Sequence, residues 1–167
     1  MNRLRRDADR RLTRLEREFG KAVGNALGAK GISYRTLAAR LRGLEGLYVA
    51  QLGKNRRLAI EIKRRVAENL LKEAIWRGCS FGVCRKRMKA LSRLGFSTVE
   101  TKSTHYLFYA RGALERGHKS VARRFATYMV RELESYLGRS ISPWAKQDLQ
   151  LLKVFLTELD ERYGGDS

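Results

Sequence analysis

The chain has 167 residues, 43% hydrophobic and 32% charged, a composition that suits a folded domain with its own core and excludes a disordered or membrane-embedded polypeptide. No stretch reaches the ~18 uncharged apolar residues of a spanning helix. The charged start, Met1 to Asp7, has no apolar signal core, so a cytoplasmic location is expected. Lys and Arg number 36 against 17 Asp and Glu, a net charge of +19, which points to an acidic partner.

That charge is unevenly placed. Residues 132–167 hold four basic and seven acidic side chains, so the first 131 hold 32 basic against 10 acidic. A basic surface ending in a mildly acidic tail suits polyanion binding better than a uniform solubilising excess does.

The only proline is Pro143, and Leu, Ala, Arg, Lys and Glu abound, so helices are expected throughout. The first runs from about Arg3 to Leu27, ending at Gly28. Its apolar stripe is Leu4, Ala8, Leu12, Leu15, Phe19 and Val23. A second stripe, Arg3, Arg6, Arg10, Arg14, Arg17 and Lys21, is suited to phosphates and is partly offset by Asp9, Glu16 and Glu18. Ser33 caps a short helix to Leu41, Gly43 and Gly46 make a turn, and a segment at Leu47–Leu52 follows. A long helix over Asn55–Arg77 buries Leu58, Ile62, Val66, Leu70 and Ala74, and Arg56, Arg57, Lys63, Arg64 and Arg65 crowd its first half.

Ser80 caps a helix from Phe81 to Leu94 that carries the densest basic patch, Arg85, Lys86, Arg87, Lys89 and Arg93. Residues 96–104 are β-prone and turn-prone, and read as a loop or small hairpin. Helices return over Thr104–Arg116 and Lys119–Leu137, the second burying Val121, Phe125, Tyr128 or Met129, Leu133 and Leu137. Ser142 and Pro143 open a last helix to about Tyr163, with Trp144, Leu151, Leu152, Phe155 and Leu159 inward.

Two segments match a helix-turn-helix pattern. In Arg35–Leu52, Ala39 packs on the first helix, Gly43 turns, and Val49 and Leu52 anchor the second. In Leu70–Lys89 the corresponding places hold Ala74, Gly78 and Cys84, with Glu73 and Arg77 awkwardly placed. The basic second helix, followed by Gly95–Phe108 as a wing with Lys102 at its tip, resembles a winged helix-turn-helix over about forty residues, which implies a recognition helix in the major groove.

Arg111-x6-His118 is similar to the Arg-x4–6-His motif of the HEPN helical ribonucleases, although Gly112 follows the Arg where a polar residue is typical. That resemblance implies an Arg and a His beside a scissile phosphate, the His shuttling the 2′-hydroxyl proton and the Arg stabilising the phosphorane. No phosphate loop, paired carboxylates or Gly-x-Ser-x-Gly occurs. Cys79 and Cys84, with no histidine beside them, read as reduced thiols rather than a zinc site, and no cofactor is expected. Tyr106, Phe108 and Tyr109 fit either core packing or stacking on unpaired bases.

Together these features predict an all-α single-domain bundle of about seven helices, with residues 1–28 as a basic amphipathic helix, 33–137 as a basic core and 138–167 as a mildly acidic end. The expected function is non-catalytic nucleic-acid binding, DNA ahead of RNA. The contact helix carries Arg85, Lys86, Arg87, Lys89 and Arg93, and further phosphate contacts come from Arg56, Arg57, Arg64, Arg65, Lys102 and the N-terminal ladder. The alternatives are an adaptor or inhibitor docking on an acidic protein, the ribonuclease, and a peripheral protein on anionic lipid.

Overall fold

The computed structural model describes residues 3–95 and 98–164, and the side chains of 5–95 and 106–164 within them. Among the described residues there are seven α-helices and no strands: α1 (Arg3–Gly28), α2 (Tyr34–Gln51), α3 (Arg56–Trp76), α4 (Phe81–Arg93), α5 (Thr98–Glu115), α6 (Lys119–Leu137) and α7 (Pro143–Tyr163). No helix among them is long and apolar enough to cross a membrane.

The helix starts are set by polar side chains that accept hydrogen bonds from otherwise orphaned backbone N–H groups. Ser33 accepts from Thr36 N at 3.1 Å, Asn55 from Leu58 N at 3.1 Å, Ser80 from Val83 N at 3.4 Å and Ser142 from Ala145 N at 3.4 Å. Pro143 sits in the first turn of α7, where its missing N–H costs nothing. Two helix ends share one backbone device. At the end of α3, Cys79 N donates to Ala74 O and Gly78 N to Ile75 O; at the end of α5, His118 N donates to Ala113 O and Gly117 N to Leu114 O. Both are Schellman turns, and both need a left-handed residue, supplied by Gly78 at φ +67° and Gly117 at φ +84°.

Contacts group the chain into two compact units, with the boundary between Leu70 and Leu71. In the first, α1 packs on α2, and the core is built from Leu15, Phe19, Val23, Leu37, Ala38, Leu41, Leu52, Ile62, Val66 and Leu70. Tyr34 donates its hydroxyl to Leu70 O at 3.0 Å, and the Phe19 and Tyr48 rings meet edge-on at 5.4 Å. In the second, α6 packs on both α5 and α7, which also touch each other. Ala110 and Ala113 of α5 and Ala122 and Ala126 of α6 are fully buried, and their small side chains permit close approach of the two helices. Phe125, Met129, Leu133, Leu152, Phe155 and Leu159 fill the space around them.

Several expectations are corrected. Gly43 and Gly46 do not end a helix, because α2 runs through both; each is exposed with nothing within 4 Å of its added Cβ, so it costs only the intrinsic ~1 kcal/mol of a helical glycine. Residues 98–104 are helical in α5 and form neither hairpin nor wing, while 96 and 97 lie outside the described residues. On α1, Ala8 is exposed, Leu12 half-buried and the side chain of Leu4 outside the description, so burial begins in earnest only at Leu15. On α7 the buried row is Ala145, Asp148, Leu152, Phe155 and Leu159, and Trp144 and Leu151 face out. Met129, not Tyr128, is the fully buried member of its pair.

Candidate nucleic-acid interface

The basic helix α4 packs on α5 and α6 through Cys84, Met88 and Leu91, spaced four and three residues apart. At 100° per residue, that register turns Lys86, Lys89 and Arg93 to the opposite side, where all three are exposed. Arg85 and Arg87 flank this row. Arg85 is exposed on the side nearest Tyr128 of α6, and half-buried Arg87 lies on the side of Cys79. The row from Lys86 to Arg93 spans about 10 Å of helix axis at 1.5 Å per residue, enough to follow successive phosphates.

What distinguishes α4 is that it has no carboxylate of its own. It holds five cations and no acid. Lys86, Lys89 and Arg93 form no ion pair among the described residues. The like-charged neighbours Arg85–Lys89 and Lys89–Arg93, four residues apart, each cost about 0.2–0.5 kcal/mol of helix stability. Such a row is held against its own repulsion, and an anionic partner relieves it.

Elsewhere several cations are held by a partner, while Arg6, Arg10, Arg17 and Lys21 of α1 share with the α4 row the lack of an ion pair among the described residues. Arg64 donates to Glu61 at 2.6 Å and to Glu68 at 2.9 Å, and the Glu61 hydrogen bond raises its pKa above the ordinary value. Arg65 lies over the Phe19 ring at 5.3 Å and against Gly20. Arg56 and Arg57 are exposed at the start of α3, but Arg57 shares a shallow notch with Asp9, Glu16 and Glu61. In the N-terminal ladder Arg6, Arg10, Arg14, Arg17 and Lys21 are exposed, and Arg14 reaches Glu18 at 3.5 Å. On α6, Lys119 sits over the Tyr163 ring at 3.9 Å and Arg123 pairs with Asp160, while Glu134 takes Lys153 at 3.2 Å. Of the two residues out of place in the Leu70–Lys89 pattern, Glu73 and Arg77 pair with each other at 3.0 Å.

The helix-turn-helix expectations fare differently. The first fails, since α2 has no turn at Gly43. The second keeps its turn at Gly78 and its buried Ala74 and Cys84, but the wing is absent and Lys102 lies within α5. As for the ribonuclease motif, Arg111 is exposed on α5, whereas His118 stands at the start of α6 with its ring packed against Gly78. Gly112, the departure from that motif, has a packing role: an added Cβ there would run into the indole Nε1 of Trp76.

Of the three aromatics read together, Tyr106 and Tyr109 are core residues and meet edge-on at 6.0 Å, with Tyr106 also edge-on to Phe125 at 5.4 Å. Phe108 is 59% exposed. It meets Trp76 edge-on at 5.5 Å, and Trp76 in turn carries Arg116 at 4.1 Å and Lys72 at 5.0 Å over its ring. The sequence reading missed Lys72, Trp76 and Arg116; the four-residue steps Lys72–Trp76 and Phe108–Gly112–Arg116 were the available signal.

Both thiols are free. Burial raises the Cys79 pKa and pushes that of fully buried Cys84 up to about 11. Among the described residues no cluster of His, Cys, Asp and Glu could hold a metal ion. Comparison with known protein families, with curated proteins and with solved structures finds no match to this chain.

Proposed function

We propose that the chain binds nucleic acid, with the solvent-facing row Lys86, Lys89 and Arg93 of α4 as its principal phosphate-contacting surface and Arg85 and Arg87 at its flanks. The observation that carries this reading is the close spacing of Lys86, Lys89 and Arg93 on one short acid-free helix with no ion pair among the described residues, set against the pairing of Arg64, Arg77, Arg123 and Lys153 elsewhere. Lys and Arg meet phosphates first, and without Asn or Gln beside them the only base edge this row is equipped to read is that of guanine, so binding is mainly backbone-directed. Exposed Arg56 and Arg57 and the α1 ladder are secondary contributors.

A titration against duplex DNA, single-stranded DNA and RNA at two salt concentrations tests the proposal. Binding is expected to fall steeply with salt, by roughly −0.9 in log–log slope per phosphate contact on duplex DNA and roughly −0.7 on single strands. A protein-docking role has one observation in its favour: α7 presents Trp144, Leu151 and Val154 outward, at 40%, 39% and 42% exposure. Association through that face would be nearly insensitive to salt, which separates it from the first reading.

A further inference from the structure

Within the second unit, Phe108 is the most exposed phenylalanine or tryptophan among the described side chains of that unit. It projects from α5 beside a tryptophan that the structure holds still on several sides. The Trp76 indole occupies the slot left by the missing side chain of Gly112, the Arg116 guanidinium covers its ring at 4.1 Å, and the Lys72 ammonium approaches at 5.0 Å. Arg116 is itself fixed, donating to Gly112 O at 2.8 Å. Its contacts are a ring and a carbonyl, so no carboxylate among the described residues neutralises it. Arg111, exposed one turn beyond Phe108 on the same helix, forms no ion pair among the described residues.

An exposed ring backed edge-on by an indole that carries two cations, with a third one turn along α5, fits a particular ligand chemistry. A flat π-system stacks on the ring while its attached phosphates meet the cations. Bases in a duplex are already stacked on each other and offer no face, so the ligand is an unpaired nucleotide within a strand.

Building on the nucleic-acid reading, we propose that Phe108, supported by Trp76, is a stacking platform for an unpaired base, with Lys72, Arg111 and Arg116 meeting the flanking phosphates. The platform gives the protein a preference for single-stranded segments that the α4 row alone does not confer.

The test uses the full chain carrying Trp144→Phe, so that Trp76 is the only indole. It is titrated with a short oligothymidylate, with an abasic deoxyribose-phosphate strand of the same length, and with duplex DNA. The oligothymidylate is expected to bind at least about fivefold more tightly than the abasic strand, the range of one base–aromatic stack. It alone is expected to change Trp76 emission. Phe108→Ala is expected to reduce thymidylate binding to the abasic level while leaving abasic affinity and the salt slope as they were, and Phe108→Tyr to restore the difference. Because Phe108 is exposed, the alanine variant should keep its helical spectrum.

Equal binding of the thymidylate and abasic strands by the parent, or an unchanged Phe108→Ala variant, overturns the platform and leaves phosphate binding standing. Failure of the parent to bind any of the three strands at low salt overturns the nucleic-acid reading and the platform with it.

Discussion

The His118 ring fills the space in front of Gly78: a Cβ built on that glycine would fall on top of the imidazole. The contact joins the two Schellman turns of the second unit, since Gly78 closes α3 and His118 supplies the last hydrogen bond that closes α5. Gly78 thus answers two demands at once, a left-handed backbone and an absent side chain.

Gly78→Ala is therefore expected to destabilise by about 3 kcal/mol, combining the ~1–2 kcal/mol of a left-handed alanine with an overpacking term. In a His118→Ala background the same substitution should cost only the backbone part. Urea midpoints of the two singles and the double measure this. Strictly additive effects would show that ring and glycine do not touch.

The charge row of α4 makes a quantitative prediction. Lys86→Gln, Lys89→Gln and Arg93→Gln together should weaken duplex binding more than tenfold at moderate salt and make the log–log salt slope shallower by about 2–3, roughly 0.9 for each lost contact. Extending the change to Arg85 and Arg87 should add less. Arg64→Gln, which breaks the pairs to Glu61 and Glu68, should leave binding nearly unchanged while lowering stability. Gln is a good helix former and Met88 and Leu91 remain buried, so the variants should fold.

Gly112→Ala tests the seat of Trp76. The added methyl collides with the indole, and overpacking of this kind costs about 1–3 kcal/mol. The indole should swing out and its emission shift to the red, read in the Trp144→Phe background. An unshifted spectrum would mean that the slot is not what holds the ring.

The thiols give a pH prediction. With Cys84 held up to about 11 by burial against a reference value of 9.0, the unfolded chain ionises this thiol first. The stability it contributes is whole below pH 9.0 and is lost as pH rises from there to about 11. The Cys79 thiol and the Tyr128 hydroxyl, both raised chiefly by burial, act in the same direction. Alkylation at pH 8 should accordingly be slow, label half-buried Cys79 before buried Cys84, and reach both quickly only in denaturant. Equal native labelling of the two would contradict the packing of α4.

Much of this architecture was legible in the sequence because its punctuation is chemical. Ser33, Ser80 and Ser142–Pro143 mark starts, Gly78, Gly117 and Gly138 mark ends, and α6 comes out at Lys119–Leu137 as expected. The misreadings share a physical cause, local preference overridden by context. Gly43 and Gly46 are tolerated inside α2, and the Thr- and Ser-rich stretch from Thr98 joins α5 despite its β-leaning composition. On α7 the bulk of Trp144 suggested burial, yet small Ala145 holds the inner register.

The candidate site was legible as charge, not as balance. Sequence spacing alone put Lys86 in the main contact helix and still counted Arg64 among the further phosphate contacts. Only the side-chain geometry separates a guanidinium held by two carboxylates from an ammonium with no ion pair among the described residues. Phe108 likewise could not be told from Tyr106 and Tyr109 until burial divided them.

The close fit of Gly112 to Trp76, and of four buried alanines where α5 meets α6, also bears on how this sequence can drift over time. Surface lysines and arginines can exchange for one another with the net field intact, so the charge pattern leaves a diffuse hereditary trace. Volume does not trade so freely. Bulk gained at position 112 has to be surrendered at position 76, and any enlargement at 110, 113, 122 or 126 calls for matching shrinkage across the same seam. Paired exchanges of size at these six positions, rather than shared basic residues, are the mark by which a distant descendant of this chain would be recognised.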